Sequence, residues 1–244
     1  MMKSGMSSVR TIRDEVAAPR APSFARLREG VFGGTVRRLA GMVRFDGRMM
    51  RVGPIPVLTF GEPVFDQPAW RWPITGGLLA RRPGGWVVVG WRRDELYCEV
   101  RDYQPRLPRP IFLLTQLPFH HAVTRLALLD LRGRAPAPGV PAEPVRRLAA
   151  AALDGAVCTA IVLACRPRRP LVALVGTVAL YHAGFWSIDG RTPGACLAGT
   201  RVVSADGSRL RPVQALLRVL TLPLSLPRLR ARHDDLAGTE VVRA

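Results

Sequence analysis

Two long apolar segments dominate the hydrophobic pattern of the chain. Residues 148–165 and 171–188 are 18 residues long each, and a basic turn with three arginines separates them. A helix of about 20 mostly apolar residues is long enough to cross the hydrocarbon core of a bilayer. The pattern therefore favours a transmembrane helical hairpin. A buried hairpin in a soluble protein is the alternative that the pattern leaves open.

The pattern before residue 134 is different, with short β-forming runs separated by Gly and Pro. Residues 95–103 alternate, so that Leu96, Cys98 and Val100 fall on one face of a strand. Residues 111–131 have apolar positions at near-helical spacing, and Pro118 is expected to kink or split that helix. The candidate strands are residues 35–45, 49–52, 57–60, 70–74, 86–91 and 96–103.

These patterns predict an α+β protein of two parts joined by a linker. Residues 1–22 mix Ser, Pro and charge, which is typical of a disordered lead, and residues 23–133 form a soluble antiparallel β-rich domain closed by an amphipathic helix. Residues 134–145 are a Pro/Gly/Ala linker. Residues 146–244 contain the two-helix hairpin and a small C-terminal cap.

The composition restricts the classes of partner that the chain is expected to bind. The net charge is +18, from 36 basic and 18 acidic residues, which can indicate nucleic acid or an anionic membrane surface. The arginines are spread along the chain without a basic stripe and stacking aromatic residues, so nucleic acid is disfavoured. The mean hydropathy is only slightly positive, which fits one embedded part beside one soluble part.

No motif in the N-terminal part indicates catalysis, a cofactor or a metal. The four cysteines are scattered without a CxxC pair, and HExxH, GxSxG and P-loop patterns are absent. His120 and His121 are adjacent, and neighbouring helical residues point about 100° apart, which makes a shared metal ion difficult. Four tryptophans could line a ligand pocket, although they more often form a core: Trp70, Trp72, Trp86 and Trp91.

Asp154 is the most informative residue of the hairpin. A carboxylate inside a membrane-spanning helix is costly, so it normally faces a partner or a polar cavity. Arg147 lies seven residues earlier, on nearly the same helix face and about 10 Å away along the axis. We therefore expect a third group to join these two side chains.

The C-terminal part resembles the RDD family of bacterial membrane proteins. The resemblance rests on Arg147, Asp154, the two apolar segments, and the stretches at residues 191–207 and 232–239, and it covers about residues 145–243. It implies that Arg147, Asp154 and Asp234 are the arginine and the two aspartates for which the family is named. It also implies a role in transport, because transport of unidentified ligands is the usual suggestion for the family.

The tail is expected to fold back onto the hairpin. Residues 197–203 and 236–242 suggest two paired strands, which would bring Asp234 to Arg147 at the start of the first span. We predict one cluster of Arg147, Asp154 and Asp234 at the cytoplasmic face, which either pins the tail to the hairpin or binds a ligand or ion. Residues 213–226 are short and broken by Pro223, which indicates an interfacial or re-entrant segment.

The leading hypothesis is an RDD-like integral membrane protein with a cytoplasmic β-rich binding or sensing domain. Without a secretory signal in the sequence, we expect a multi-pass cell-membrane protein with both termini in the cytoplasm. Its partners would be the lipid bilayer, an unknown small ligand or ion, and a second copy of the chain. An oligomeric transporter or ion-translocating subunit is one alternative. A membrane-anchored enzyme acting on a lipid is the other, although no nucleophile or general base is evident.

Overall fold

The structure, a computed structural model, describes residues 11–23, 25–28, 42–46, 48–66, 68–133, 136–223 and 232–244. The chain divides into two compact units, Met1–Gly133 and Arg134–Ala244. We call them the N-terminal unit and the C-terminal unit. The division falls where the Pro-rich stretch begins.

The N-terminal unit is built on a curled antiparallel sheet, a half-barrel, as the alternating pattern predicted. The strands are β1 (Ile12–Ala17), β2 (Val43–Phe45), β3 (Met49–Val52), β4 (Ile55–Phe60), β5 (Val64–Asp66), β6 (Ala69–Gly76), β7 (Trp86–Arg92) and β8 (Glu95–Arg101). Their order in the sheet is β1-β8-β7-β6-β4-β3-β2, and β5 pairs with β6.

Strand β1 corrects the prediction of a disordered lead. It pairs with β8 through the registers Asp14↔Cys98 and Val16↔Leu96, so residues 12–17 belong to the sheet. Its alternation was missed because Asp14, a carboxylate, occupies a buried position that is usually apolar. Residues 1–10, and the part of the first candidate strand at 35–41, lie outside the described residues.

A helical segment follows the sheet. It consists of α1 (Arg109–Ile111), a π-helical turn (Phe112–Gln116) and α2 (Leu117–Arg132). Pro118 has no N–H to donate to the carbonyl four residues earlier, and the wider turn lies directly before it. The proline is therefore accommodated by a π turn, and helical structure continues on both sides of it.

The C-terminal unit begins with the two predicted apolar helices. They are α3 (Pro144–Cys165) and α4 (Pro170–Ile188). Both are long and apolar enough to cross a membrane, with mean hydropathies of 2.1 and 1.6. Only 22% of the apolar window of α3 and 6% of that of α4 is buried in the protein. Core helices of a soluble protein would be mostly buried, so these exposed faces fit a lipid environment.

The predicted C-terminal cap is present as a small β-hairpin with short helices. Strands β9 (Thr200–Ser204) and β10 (Thr239–Arg243) pair antiparallel. The first strand begins later than predicted, because Leu197 ends a short helix. The helices are α5 (Pro193–Leu197), α6 (Pro212–Thr221) and α7 (Arg232–Ala237). Helix α6 covers most of the predicted 213–226 segment, and residues 224–226 lie outside the described part.

Candidate functional site

The first of two polar clusters in the C-terminal unit surrounds Asp234, in the first turn of α7. Its Oδ2 accepts a hydrogen bond from Nη2 of Arg147 at 2.8 Å. Its Oδ1 accepts one from the Thr239 hydroxyl at 2.9 Å and forms an ion pair with Arg218. Arg218 also donates to the Thr239 hydroxyl at 2.7 Å. The structure thus brings Arg147 and Asp234 together and adds an arginine that the sequence analysis did not select. We call this the Asp234 cluster.

Helix α6 positions Arg218. Gln214, Ala215 and Arg218 are its buried residues, and their i, i+1 and i+4 spacing puts them on one side of the helix. The Gln214 amide donates to the carbonyl oxygen of Ala237 at 3.2 Å, which ties α6 to the end of α7. The Arg218 guanidinium also stacks over the Trp186 ring, 4.7 Å from its centre.

Burial and the neighbouring charges set the protonation states of the Arg218 and His233 side chains in the Asp234 cluster. Burial, together with the nearby charge of Arg147, lowers the pKa of Arg218 to about 9, which still leaves it charged at neutral pH. Burial and the charges of Arg218 and Arg147 lower the pKa of His233 to about 3. His233 is therefore neutral at neutral pH, and Asp234 faces two guanidinium groups as its charged partners.

The second cluster surrounds Asp154, whose exposed fraction is 3%. Its Oδ2 accepts from the Thr192 hydroxyl at 2.6 Å. Its Oδ1 accepts from the backbone N–H of Gly194 at 2.9 Å and from the Tyr181 hydroxyl at 2.8 Å. Nε2 of His182 lies 3.8 Å from Oδ2. We call this the Asp154 cluster.

The start of α5 is shaped to receive the Asp154 carboxylate. Thr192 is the N-cap of α5, and its hydroxyl accepts from the Ala195 N–H at 3.1 Å while it donates to Asp154. A Cβ at Gly194 would lie 2.5 Å from the carbonyl oxygen of Ala150 and 2.7 Å from Oδ1 of Asp154. Only glycine allows the backbone to approach so closely.

The three predicted residues therefore do not form one cluster. Among the described contacts, Arg147 pairs with Asp234, whereas Asp154 is bound by neutral donors from α4 and the start of α5. The reason is the seven-residue spacing along α3, which separates the two side chains by about 10 Å and lets each find a nearer partner. The sequence held a signal for this arrangement, because the Thr-Pro-Gly turn at residues 192–194 is an N-cap motif.

In the N-terminal unit, His120 and His121 lie next to the buried carboxylate of Asp14. Nδ1 of His121 lies 2.8 Å from Oδ1 of Asp14, and Nε2 of His120 lies 3.8 Å from Oδ2. Burial lowers the pKa of His120 to about 4, so it is neutral at pH 7. In the part of the chain that the structure describes, no three His, Cys, Asp or Glu residues lie close enough to share a metal ion.

An apolar cavity lies between the curled sheet and the helical segment of the N-terminal unit. None of the four tryptophans is among the described residues that line it. Trp72 is core, with 1% of its surface exposed, and Trp91 donates its indole N–H to the Ala18 carbonyl at 2.8 Å. The cavity is lined instead by aliphatic, phenylalanine and a few polar side chains.

Comparison with protein families assigns a segment of the C-terminal unit to a known family. The model of the RDD family matches residues 169–236, a shorter range than the predicted 145–243. The matched range contains Thr192, Gly194, Arg218 and Asp234 but begins after Arg147 and Asp154. The N-terminal unit is unassigned. Comparisons with curated proteins and with solved structures find no match.

Proposed function

We propose, from the premise that residues 169–236 form an RDD family domain, that the chain is an integral membrane protein with a ligand-binding or sensing N-terminal unit. Helices α3 and α4 would form its two spans. The exposed apolar faces of these two helices carry the proposal, because 70% of the surface of Leu163 in α3 and 79% of that of Leu171 in α4 are exposed. Leaving such faces in water would be costly, whereas a bilayer covers them.

The two polar clusters have a structural role in this proposal. Each joins α3 to an element of the C-terminal cap, Asp154 through α5 and Arg147 through α7. Buried carboxylates with several hydrogen bonds fix elements in one arrangement, because any shift would leave charge unpaired. The clusters would therefore hold the cap against the start of the membrane hairpin.

The transporter alternative has less support. A translocated cation would need free carboxylate oxygens, and the two oxygens of Asp154 already accept from Thr192, Gly194 and Tyr181. The enzyme alternative also has little support. The thiol of Cys98 lines the cavity, but burial raises its pKa far above the usual range, so it is a poor nucleophile.

Membrane fractionation with an alkaline carbonate wash tests the proposal. We expect the full chain to stay in the washed membrane, and a chain ending at Gly133, which lacks both apolar helices, to be recovered in the soluble fraction. Circular dichroism of the shorter chain serves as the folding control. Release of the full chain by carbonate would contradict the proposal.

A further inference from the structure

Helix α6 of the C-terminal unit presents an apolar side to its surroundings. The side chains exposed along this helix are all apolar, namely Pro212, Val213, Leu216 and Leu220. Leu216 is 52% exposed and Leu220 is 66% exposed. Because successive helical residues are about 100° apart, Val213, Leu216 and Leu220 lie within about 60° of one another around the helix. We call these three residues the α6 stripe.

The buried side of α6 lies opposite the stripe and contains its polar residues. Gln214 and Arg218 are each 4% exposed, and the third buried residue is Ala215. A helix on the surface of a soluble protein has the reverse arrangement, with apolar side chains toward the core and polar ones toward water. In α6 the polar side chains are bound by other groups of the C-terminal unit, whereas the apolar ones face outwards. This inverted arrangement fits a helix whose exposed side is surrounded by lipid.

The contacts of α6 place it beside one end of the apolar hairpin. The Arg218 guanidinium lies over the ring of Trp186, which is two residues before the end of α4 at Ile188. The same guanidinium pairs with Asp234, whose other carboxylate oxygen binds Arg147 near the start of α3. A tryptophan near the end of a span is typical of the membrane–water interface. In a bilayer spanned by α3 and α4, α6 therefore lies at the level of that interface.

The sequence around α6 is basic. Residues 207–231 contain five arginines and no acidic residue. Of these arginines, Arg209 and Arg211 directly precede the helix and are exposed. Long arginine side chains keep their charged ends at the polar surface of a membrane while their stems contact apolar groups. An apolar stripe with arginines beside it is typical of amphipathic helices that lie in the plane of the interface.

We propose that α6 is an interfacial helix, and that the α6 stripe enters the boundary between the head groups and the acyl chains of the bilayer that α3 and α4 span. The partner is the phospholipid surface, with acyl chains against the stripe and phosphate groups near Arg209 and Arg211. The sequence left open whether residues 213–226 are interfacial or re-entrant, and the inference selects the interfacial arrangement for α6. It rests on the proposed function for the presence of the bilayer.

Site-directed spin labelling of the full chain tests the inference in vesicles of phosphatidylcholine and phosphatidylglycerol. The two exposed cysteines are replaced by Cys165→Ser and Cys196→Ser, and the two buried cysteines are kept. A nitroxide is then attached at Leu216→Cys or at Leu220→Cys, in separate chains. Its depth is measured from its collision rates with oxygen, which concentrates among the acyl chains, and with a water-soluble nickel chelate.

Two reference positions calibrate the depth. Leu180→Cys reports the acyl region, because Leu180 is 78% exposed and lies eight residues, or about 12 Å along the axis, before the end of α4. Val64→Cys reports water, because Val64 is an exposed residue of the N-terminal unit. At Leu216 and Leu220 we expect a ratio of oxygen to nickel collisions several-fold above that at Val64 and below that at Leu180. Such a ratio corresponds to side chains about 5–10 Å into the boundary.

Three results would overturn the inference. Labels at Leu216 and Leu220 that are as accessible to nickel as the label at Val64 would place the stripe in water. Labels protected from both reagents would show that protein, either the N-terminal unit or a second copy of the chain, covers the stripe. Labels as deep as the one at Leu180 would make the helix re-entrant. Because there are two stripe positions, one labelled chain that fails to fold leaves the other to decide.

The label at Leu180 separates this inference from the proposed function. If that label is in lipid while those at Leu216 and Leu220 are in water, only the interfacial helix is contradicted. If the label at Leu180 is itself accessible to nickel, the membrane proposal is contradicted, and the interfacial helix with it.

Discussion

At the scale of single residues, Asp154 and Asp234 are buried carboxylates whose oxygens accept hydrogen bonds from different kinds of partner. Asp154 accepts from two hydroxyls and a backbone N–H, whereas Asp234 faces two guanidinium groups and one hydroxyl. Charge inside an apolar helix singled out Asp154 and, seven residues earlier, Arg147, whereas Asp234 was selected through the resemblance to the RDD family. It could not identify Arg218 or Tyr181 as partners, since those contacts depend on how α6 and α4 pack.

Gly194 should be intolerant of any side chain. The added methyl group of Gly194→Ala would overlap the Ala150 carbonyl and the Asp154 carboxylate, so we expect a loss of about 1–3 kcal/mol in folding free energy. Gly176→Ala, in α4, is the matched control, because nothing lies within 4 Å of its Cβ position. Thermal unfolding in detergent measures both, and equal midpoints would contradict the close approach at Gly194.

Asp234→Asn should be strongly destabilising. The substitution leaves Arg147 and Arg218 without their carboxylate, and loss of one partner of a buried ion pair costs about 3–5 kcal/mol. Asp189→Asn is the control, because that side chain is 53% exposed and its pairs with Arg191 and Arg201 should contribute less than about 1 kcal/mol. Chemical denaturation in detergent compares them, and similar losses would argue against the Asp234 cluster.

At the scale of elements, β1 shows where pattern analysis fails. Residues 12–17 have a strand alternation, but one of the inward positions is occupied by Asp14. The cost of burying its carboxylate is offset by its contact with Nδ1 of His121. A polar residue paired in three dimensions is indistinguishable from a solvent-facing one in the sequence. The other long strands were predicted, because their inward positions are apolar.

Val16→Ala tests the place of β1 in the core. Val16 has 1% of its surface exposed, so loss of its two methyl groups and the resulting cavity should cost about 2 kcal/mol. Val64→Ala, in β5, is the matched control, since Val64 is 52% exposed and the loss there should be below about 0.5 kcal/mol. Calorimetry of the chain ending at Gly133 measures both. An unchanged midpoint for Val16→Ala would show that β1 is not part of the folded sheet.

At the scale of the whole molecule, the chain combines an RDD family domain with an unassigned β-rich unit. The two candidate spans and the family domain point to a membrane location. The expected topology, with both termini in the cytoplasm, can be tested with cysteines that the chain already has. Cys165 at the end of α3 and Cys196 in α5 are both exposed, whereas Cys98 and Cys158 are buried.

Labelling of intact cells with a membrane-impermeant maleimide should reach Cys165 but not Cys196. In the proposed topology the basic turn after Cys165 faces the outside, and α5 lies on the cytoplasmic side. Permeabilised cells should allow labelling of Cys196 as well, and Cys165→Ser should remove the signal from intact cells. Labelling of Cys196 alone in intact cells would show that the orientation is reversed.

The sequence by itself determined the two-part architecture, the apolar hairpin and most of the strands. These follow from local hydrophobic periodicity and segment length, which a chain carries without reference to its fold. It also marked Asp154 and Arg147, because the cost of burying charge makes such residues conspicuous, and the resemblance to the RDD family added Asp234. Only the tertiary structure decided that these three belong to two separate clusters, that Gly194 must lack a side chain, and that the exposed side of α6 is apolar. Each of those depends on atoms that lie far apart in the sequence, and local patterns contain no information about their distances.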